Sequence, residues 1–322
     1  MKKTLLAIAL LSSSAVASSA FAADGAVNFT GTINNDACSV EGAGKDKTIS
    51  VNMGEVSIKD MGTATAPKGN GTLSADATPA APISTVADGD WPAYGRNQEG
   101  QRFSPLKQIN ADNVKNLKEA WVFRTGDLKQ PNDPGEITNE VTPIKVGDTL
   151  FLCTAHQRLF ALDAASGKEK WHYDPELKTN ESFQHVTCRG VSYHEAKAET
   201  ASPEVMADCP RRIILPVNDG RLIAINAENG KLCETFANKG VLNLQSNMPD
   251  TKPGLYEPTS PPIITDKTIV MAGSVTDNFS TRETSGVIRG FDVNTGELLW
   301  AFDPGAKDPN AIPSDEHTFT FN

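Results

Sequence analysis

Five polar residues in this chain are of types that hold charged ligands. His185 and Arg189 lie four apart in the segment FQHVTCRG, Glu140 stands in TNEVTP, and Asp277 and Asn278 are adjacent in AGSVTDN. A guanidinium presents a planar fork of N–H donors that matches an acid group, with an imidazole close by as a second polar partner. The oxygens of an Asp-Asn pair are the hard donors that Ca²⁺ or Mg²⁺ takes. Each residue also has a plainer use. A loop histidine with an arginine four later commonly faces water, a glutamate at a strand entry is solvated, and Asp-Asn makes a turn. Their chemistry therefore depends on the elements that bring them together. His156, His172, His194 and His317 have no metal-ligand spacing and are expected to pack or to face solvent, and no CxxC occurs to suggest a zinc or dithiol motif.

The positioning elements are announced by a repeat. ALDAASGKEKW (161–171) returns as GFDVNTGELLW (290–300), and AINAENGKLCE (224–234) is a third copy with Glu234 where the others have tryptophan. The central polar residues Asp163, Asn226 and Asp292 are 63 and 66 residues apart, too long for a helical repeat and suited to one propeller blade with long loops. Around each copy stand short apolar strands divided by turn residues. VTPIKV, TLFLCTA, RLFALDA and EKWHYD make the first set, RRIILPV, RLIAINA and LCETFAN the second, and PPIITD, TIVMAGS, GVIRGFD and ELLWAF the third. The repeat glycine is expected to take a positive φ in the hairpin between the last two strands, and the tryptophan to stack on the next blade. Ahead of the blades, INADNVKNLK reads as a short helix capped by Asn110, and KEAWVFRTG as a strand.

The 322 residues carry 30 basic and 40 acidic side chains, a net charge of −10 that argues against nucleic-acid binding. Residues 1–22 have the form of a secretory signal, with Lys2 and Lys3, the apolar run LLAIALL and a small-residue site that predicts cleavage after Ala22. The run is too short to span a bilayer and no longer one follows, so a periplasmic location is expected. Residues 23–60 alternate like a half-buried strand, and 61–89, rich in Ala, Thr, Pro, Gly and Ser, read as a linker to a propeller domain at 90–322. Export permits disulfides; of the five cysteines at least one must stay unpaired, and Cys188 and Cys209, flanking one long loop, are the preferred pair.

Two resemblances add to this. Residues 1 to about 60 are similar to the start of a type 1-like fimbrial subunit, which implies strand donation to a neighbour and a pilus-assembly chaperone as partner. From Asp90 onward, DWPAYGRNQEGQRFSPLKQINADNVKNLK carries the N-terminal signature of the pyrroloquinoline quinone (PQQ) dependent dehydrogenases, with Trp91, Gly95, Arg96, Asn110 and Asn113 in register. Residues 70–322 resemble the periplasmic part of the membrane-bound, glucose-oxidising quinoprotein branch of that family. The resemblance implies an all-β fold, about three blades of an eight-bladed propeller, and PQQ with Ca²⁺ or Mg²⁺ as cofactors. It implies oxidation of glucose and related aldoses to lactones with electrons passing to a quinone acceptor. It places Glu140, His185 and Arg189 against PQQ and Asp277 and Asn278 at the metal, and puts the general-base aspartate and the closing blades beyond Asn322, so that the chain alone is expected to be inactive. The rival expectations are a fimbrial subunit and a non-enzymatic propeller scaffold.

Overall fold

The structure, a computed structural model, describes residues 86–322 apart from 98, 249–250, 253, 276–282, 313–318 and 321–322. The described residues all belong to the unit Ser84–Asn322. The signal segment, the fimbrial-like strand at 23–60 and the linker lie outside them except for the linker's last residues.

Three four-stranded antiparallel sheets account for most of the described fold. The first is a meander of β1 (Ile144–Val146), β2 (Thr149–Cys153), β3 (Leu159–Asp163) and β4 (Glu169–Tyr173). The second joins β5 (Ser192–Glu195), β6 (Arg211–Val217), β7 (Arg221–Asn226) and β8 (Val241–Asn243). Between β5 and β6 it carries a short helix α1 (Pro203–Asp208) whose N-cap Ser202 accepts from Val205 N–H. A small pair, β9 (Tyr256–Glu257) with β12 (Ser274–Val275), sits beside the third sheet of β10 (Ile263–Ile264), β11 (Thr268–Met271), β13 (Ile288–Asp292) and β14 (Leu298–Phe302).

The second sheet lies in the middle, and its sequence shows why. β6 and β7 contain the unbroken apolar runs IILPV and LIAI rather than an alternating pattern, as strands covered on both faces do. Ile213, Leu215, Ile223 and Ile225 face Ile144, Phe151, Leu159 and Ala161 of the first sheet. Ile214, Leu222 and Ala224 face Ile269, Met271, Phe291 and Ala301 of the third. Each fully buried Leu or Ile contributes about 1.5–3 kcal/mol. Arg212, with no exposed surface, donates to the carbonyls of Cys209, Val293 and Asn294 and so ties the second sheet to the third.

The repeat is the interlock of the blades. Asp163 Oδ1 accepts from Ser166 N–H and Oγ–H, and Asp292 Oδ1 accepts from Thr295 N–H and Oγ1–H, closing the same turn twice. The glycines ending these turns, Gly167, Gly230 and Gly296, have φ of 69°, 74° and 75°. Each receives the side chain of the preceding unit: Trp121 lies on Gly167, Trp171 on Gly230, and Phe236 on Gly296. Trp171 also donates Nε1–H to Ala227 O at 3.2 Å. Phe236 thus does at the second sheet what tryptophan does elsewhere, two residues beyond Glu234.

Four expectations are corrected. LCETFAN is not one strand: Leu232 bridges Ile225, the chain then loops out through Phe236, and the ladder on β7 resumes only at Val241. KEAWVFRTG is extended but joins no sheet among the described residues, although Trp121 docks on Gly167 as Trp171 does on Gly230. INADNVKNLK forms a single 3₁₀ turn, Val114–Asn116; Asn110 accepts from Asp112 and Asn113 N–H, closing the preceding turn instead of capping an α-helix. Cys188 and Cys209 do not pair. The bonds are Cys153–Cys188 and Cys209–Cys233. The β5–β6 register explains this: with Ser192 opposite Ile214 and Glu195 opposite Arg211, Cys188 and Cys209 fall at opposite ends of the hairpin, roughly 30 Å apart at strand rise. Cys38 lies outside the described residues.

Candidate functional site

The site is built on the loop 184–190, which crosses from the first sheet to the second. Its backbone is held on three sides. Cys188 is bonded to Cys153 at the end of β2, Thr142 N–H donates to Arg189 O at 3.0 Å, and Arg189 N–H donates to Thr259 O at 2.9 Å. Gly190 passes so close to its neighbours that a Cβ would lie 3.3 Å from Thr142 O. Bridges over 35 and 24 residues are each worth about 3–4 kcal/mol in the chain-entropy account.

On this scaffold two of the five candidate residues, Glu140 and Arg189, meet, and His185 stands four residues before Arg189 on the same loop. Arg189 Nε is 2.8 Å from Glu140 Oε2, and Arg189 Nη1 donates to Thr259 Oγ1. Glu140 is steadied in turn by Thr138 Oγ1, which donates to its Oε1 at 3.0 Å. His185 Nδ1 lies 3.3 Å from Glu136 Oε2, and Asn218 donates to the His185 carbonyl. Glu136 and Glu140 arrive on one segment that runs alongside the loop through the parallel bridge of Ile137 with Val186. Asp277 and Asn278 lie outside the described residues.

Glu257 was not singled out in the sequence, yet it fixes the loop. It is 3% exposed, and its two carboxylate oxygens accept from Gln184 N–H at 2.9 Å and His185 N–H at 3.2 Å. Burial raises its pKa to about 7, against the lowering effect of those amides. Thr259 and Glu136 were missed as well. Their signal is spatial: Thr259 is 70 residues from Arg189, and Glu136 reads as one more surface acid.

Arg189 borders two cavities. One, of about 500 Å³, is lined by Arg189, Thr259, Ser260, Met271, Gly273 and Ser274. The other, of about 620 Å³, lies between Arg189 and the DWPAYGRN segment, where Arg102 stacks 4.7 Å over the Tyr94 ring. Hydrogen bonding from Arg102 holds the Tyr94 hydroxyl below its ordinary pKa. Volumes of this size suit a planar ligand of a few fused rings. The donor set, a guanidinium fork with hydroxyls and backbone around it, suits one bearing carboxylates. The residues present therefore fit a group such as PQQ at the cavity rim.

The sequence profile of the family described as PQQ glucose/ethanol/alcohol dehydrogenase, β-propeller domain, matches residues 91–322. A quinoprotein glucose dehydrogenase of Escherichia coli is 97% identical over 253 residues, covering 79% of this chain and 32% of that protein. A quinoprotein glucose dehydrogenase A of Acinetobacter calcoaceticus is 59% identical over 244 residues, 74% of this chain and 30% of its own. Among solved structures, a quinohemoprotein alcohol dehydrogenase of Pseudomonas putida superimposes with a TM-score of 0.51 at 26% identity, over 72% of this chain and 29% of that one. The chain thus spans about a third of the length of the curated relatives it matches.

Proposed function

The chain belongs to the PQQ-dependent glucose/ethanol/alcohol dehydrogenase β-propeller family, and from that premise we propose that it supplies one wall of the cofactor site of an aldose-oxidising quinoprotein. The reaction is oxidation of glucose and related aldoses to lactones, with electrons delivered to a quinone acceptor. The observation that carries the proposal is Arg189, paired with Glu140, standing with Thr259 at the rim of the cavity of about 500 Å³.

When bound, PQQ supplies an ortho-quinone that takes up two electrons. The residues of this chain bind and orient. Arg189 holds a carboxylate, its guanidinium plane set by Glu140 and Thr259. Glu140 is the hydrogen-bonding partner of the cofactor on the same side. His185, held through its amide by Glu257 and through its ring by Glu136, is assigned to the cofactor from the same loop as Arg189. Asp277 and Asn278 are assigned to Ca²⁺ or Mg²⁺, whose hard-oxygen preference they match. The propeller domain is assigned to 90–322, behind a signal at 1–22, a strand segment at 23–60 and a linker at 61–89, in a periplasmic protein. No observation favours the fimbrial or scaffold alternatives.

Titration of the chain with PQQ in the presence of Ca²⁺, followed by quenching of tryptophan fluorescence, tests the assignment. Arg189→Ala should weaken binding about tenfold to a hundredfold, the worth of a hydrogen bond to a charged group. The trimethyl ester of PQQ should bind wild type and variant alike. Equal affinity of both proteins for PQQ itself would remove Arg189 from the site.

A further inference from the structure

The segment that brings Glu136 and Glu140 to the loop first passes a buried charged cluster. His156, in the turn between β2 and β3, is 8% exposed. Its Nδ1 is 2.6 Å from Asp127 Oδ1, and its Nε2 is 3.0 Å and 3.1 Å from the two oxygens of Asp133. His156 N–H also donates to Asp127 Oδ2 at 3.0 Å, and Thr179 Oγ1 donates to Asp133 Oδ1 at 2.8 Å. An imidazole has a carboxylate at each ring nitrogen, and only the imidazolium can donate to both; the neutral ring would turn a lone pair toward an anion. Among the described residues these two carboxylates are the ionisable groups that face the ring. Arg158, two residues on, directs its guanidinium to Thr125 O and Asp174 instead.

From Asp133 the chain needs three residues to reach Glu136, the partner of His185, and seven to reach Glu140, the partner of Arg189. In between, Thr138 N–H donates to Val186 O at 3.1 Å and Val186 N–H to Glu136 O at 3.4 Å. The segment is therefore pinned at one end by His156 and read out at the other by the loop. We propose that His156 is a positioning residue: by clasping Asp127 and Asp133 it fixes the register in which Glu136 and Glu140 meet His185 and Arg189. The consequence for ligand binding rests on the cofactor assignment above; the clasp itself rests on its own contacts.

The direction of its pH dependence follows from the same contacts. The hydrogen bond to Asp127, then that to Asp133, raises the His156 pKa from 6.5 to about 9 against the effect of burial. Burial pushes the Asp127 carboxyl up, but hydrogen bonds from His156 and Thr154 outweigh it and hold the pKa at about 2. A raised histidine pKa contributes stability that is full below about 6.5 and is lost as pH rises through about 9. The lowered Asp127 pKa contributes above its ordinary 3.8 and is lost as pH falls through about 2.

The test uses the full chain, as wild type, His156→Gln and Asp133→Asn, between about pH 6 and about pH 10.5. Two readouts are taken: protection factors of the Thr138 and Val186 amides by hydrogen exchange, corrected for intrinsic rates, and affinity for PQQ with Ca²⁺. In wild type both should fall as pH rises through about 9, affinity by about tenfold. His156→Gln should be low in both at neutral pH and show no step. Asp133→Asn, which keeps the Asp127 contact, should move the step to lower pH and guards against misfolding of the first variant. Wild-type protection in His156→Gln at neutral pH, or a step that persists in that variant, would overturn the clasp. A protection step without PQQ binding in any form would sink the cofactor assignment and leave the clasp standing; PQQ binding with protection flat in pH would do the reverse.

Discussion

Glu257 shows how much of a site can rest on one residue that touches no ligand. A carboxylate 3% exposed, accepting two consecutive backbone amides, decides where His185 starts and hence where Arg189 ends. Its pKa, raised from 4.5 to about 7 by burial, has a sign that can be measured. A raised carboxyl contributes most below its unfolded value, so this contribution to wild-type stability should be lost between about pH 4.5 and about pH 7, by something on the order of 3 kcal/mol. Glu257→Gln should lack that slope in chemical denaturation run at a series of pH values. Glu140, His185 and Arg189 stand out as candidates in the sequence because they sit in short stretches that resemble a known family. Glu257 and His156 do not, because each acquires its role from partners far along the chain, 72 residues away for Glu257 and 29 for His156. Residue type and local spacing cannot report such pairs.

At the scale of elements the repeat was the most readable feature, since it encodes a local turn and a packing contact together. Glycine in that turn has two duties, positive φ and room for the preceding aromatic. Gly230 has both: φ is 74°, and a Cβ would come within 2.8 Å of the Trp171 ring. Gly147, in the turn between β1 and β2 with φ of 58°, has only the first, for nothing lies within 4 Å of its Cβ position. Gly147→Ala should therefore cost about 1–2 kcal/mol for the backbone alone, and Gly230→Ala some 1–3 kcal/mol more from overpacking, read from thermal or denaturant midpoints. Equal losses would deny the stacking role. The strand reading failed where tertiary contacts override local pattern. LCETFAN has strand-forming residues, but the Cys209–Cys233 bond and the burial of Phe236 against Gly296 pull it out of the ladder. KEAWVFRTG has the pattern of a strand but, among the described residues, pairs with no other strand.

Among the described residues three four-stranded sheets stack, the middle one covered on both faces, and the third carries Ile263, Trp300 and Phe302 partly exposed. Propeller class and family were legible from the repeat period and the Asp90 signature. The cystine pairing was not, because it depends on strand register, which sequence separation does not determine. Central to the proposed function is the Cys188-anchored loop, on which Arg189, backed by Glu140, would meet an anionic planar cofactor. A crystal structure of the chain grown with PQQ and Ca²⁺ tests it most directly. It should show the quinone in the cavity bounded by Arg189, Thr259 and Gly273, with one carboxylate about 3 Å from the Arg189 guanidinium. PQQ bound elsewhere on the chain, with the Glu140–Arg189 pair untouched, would contradict it.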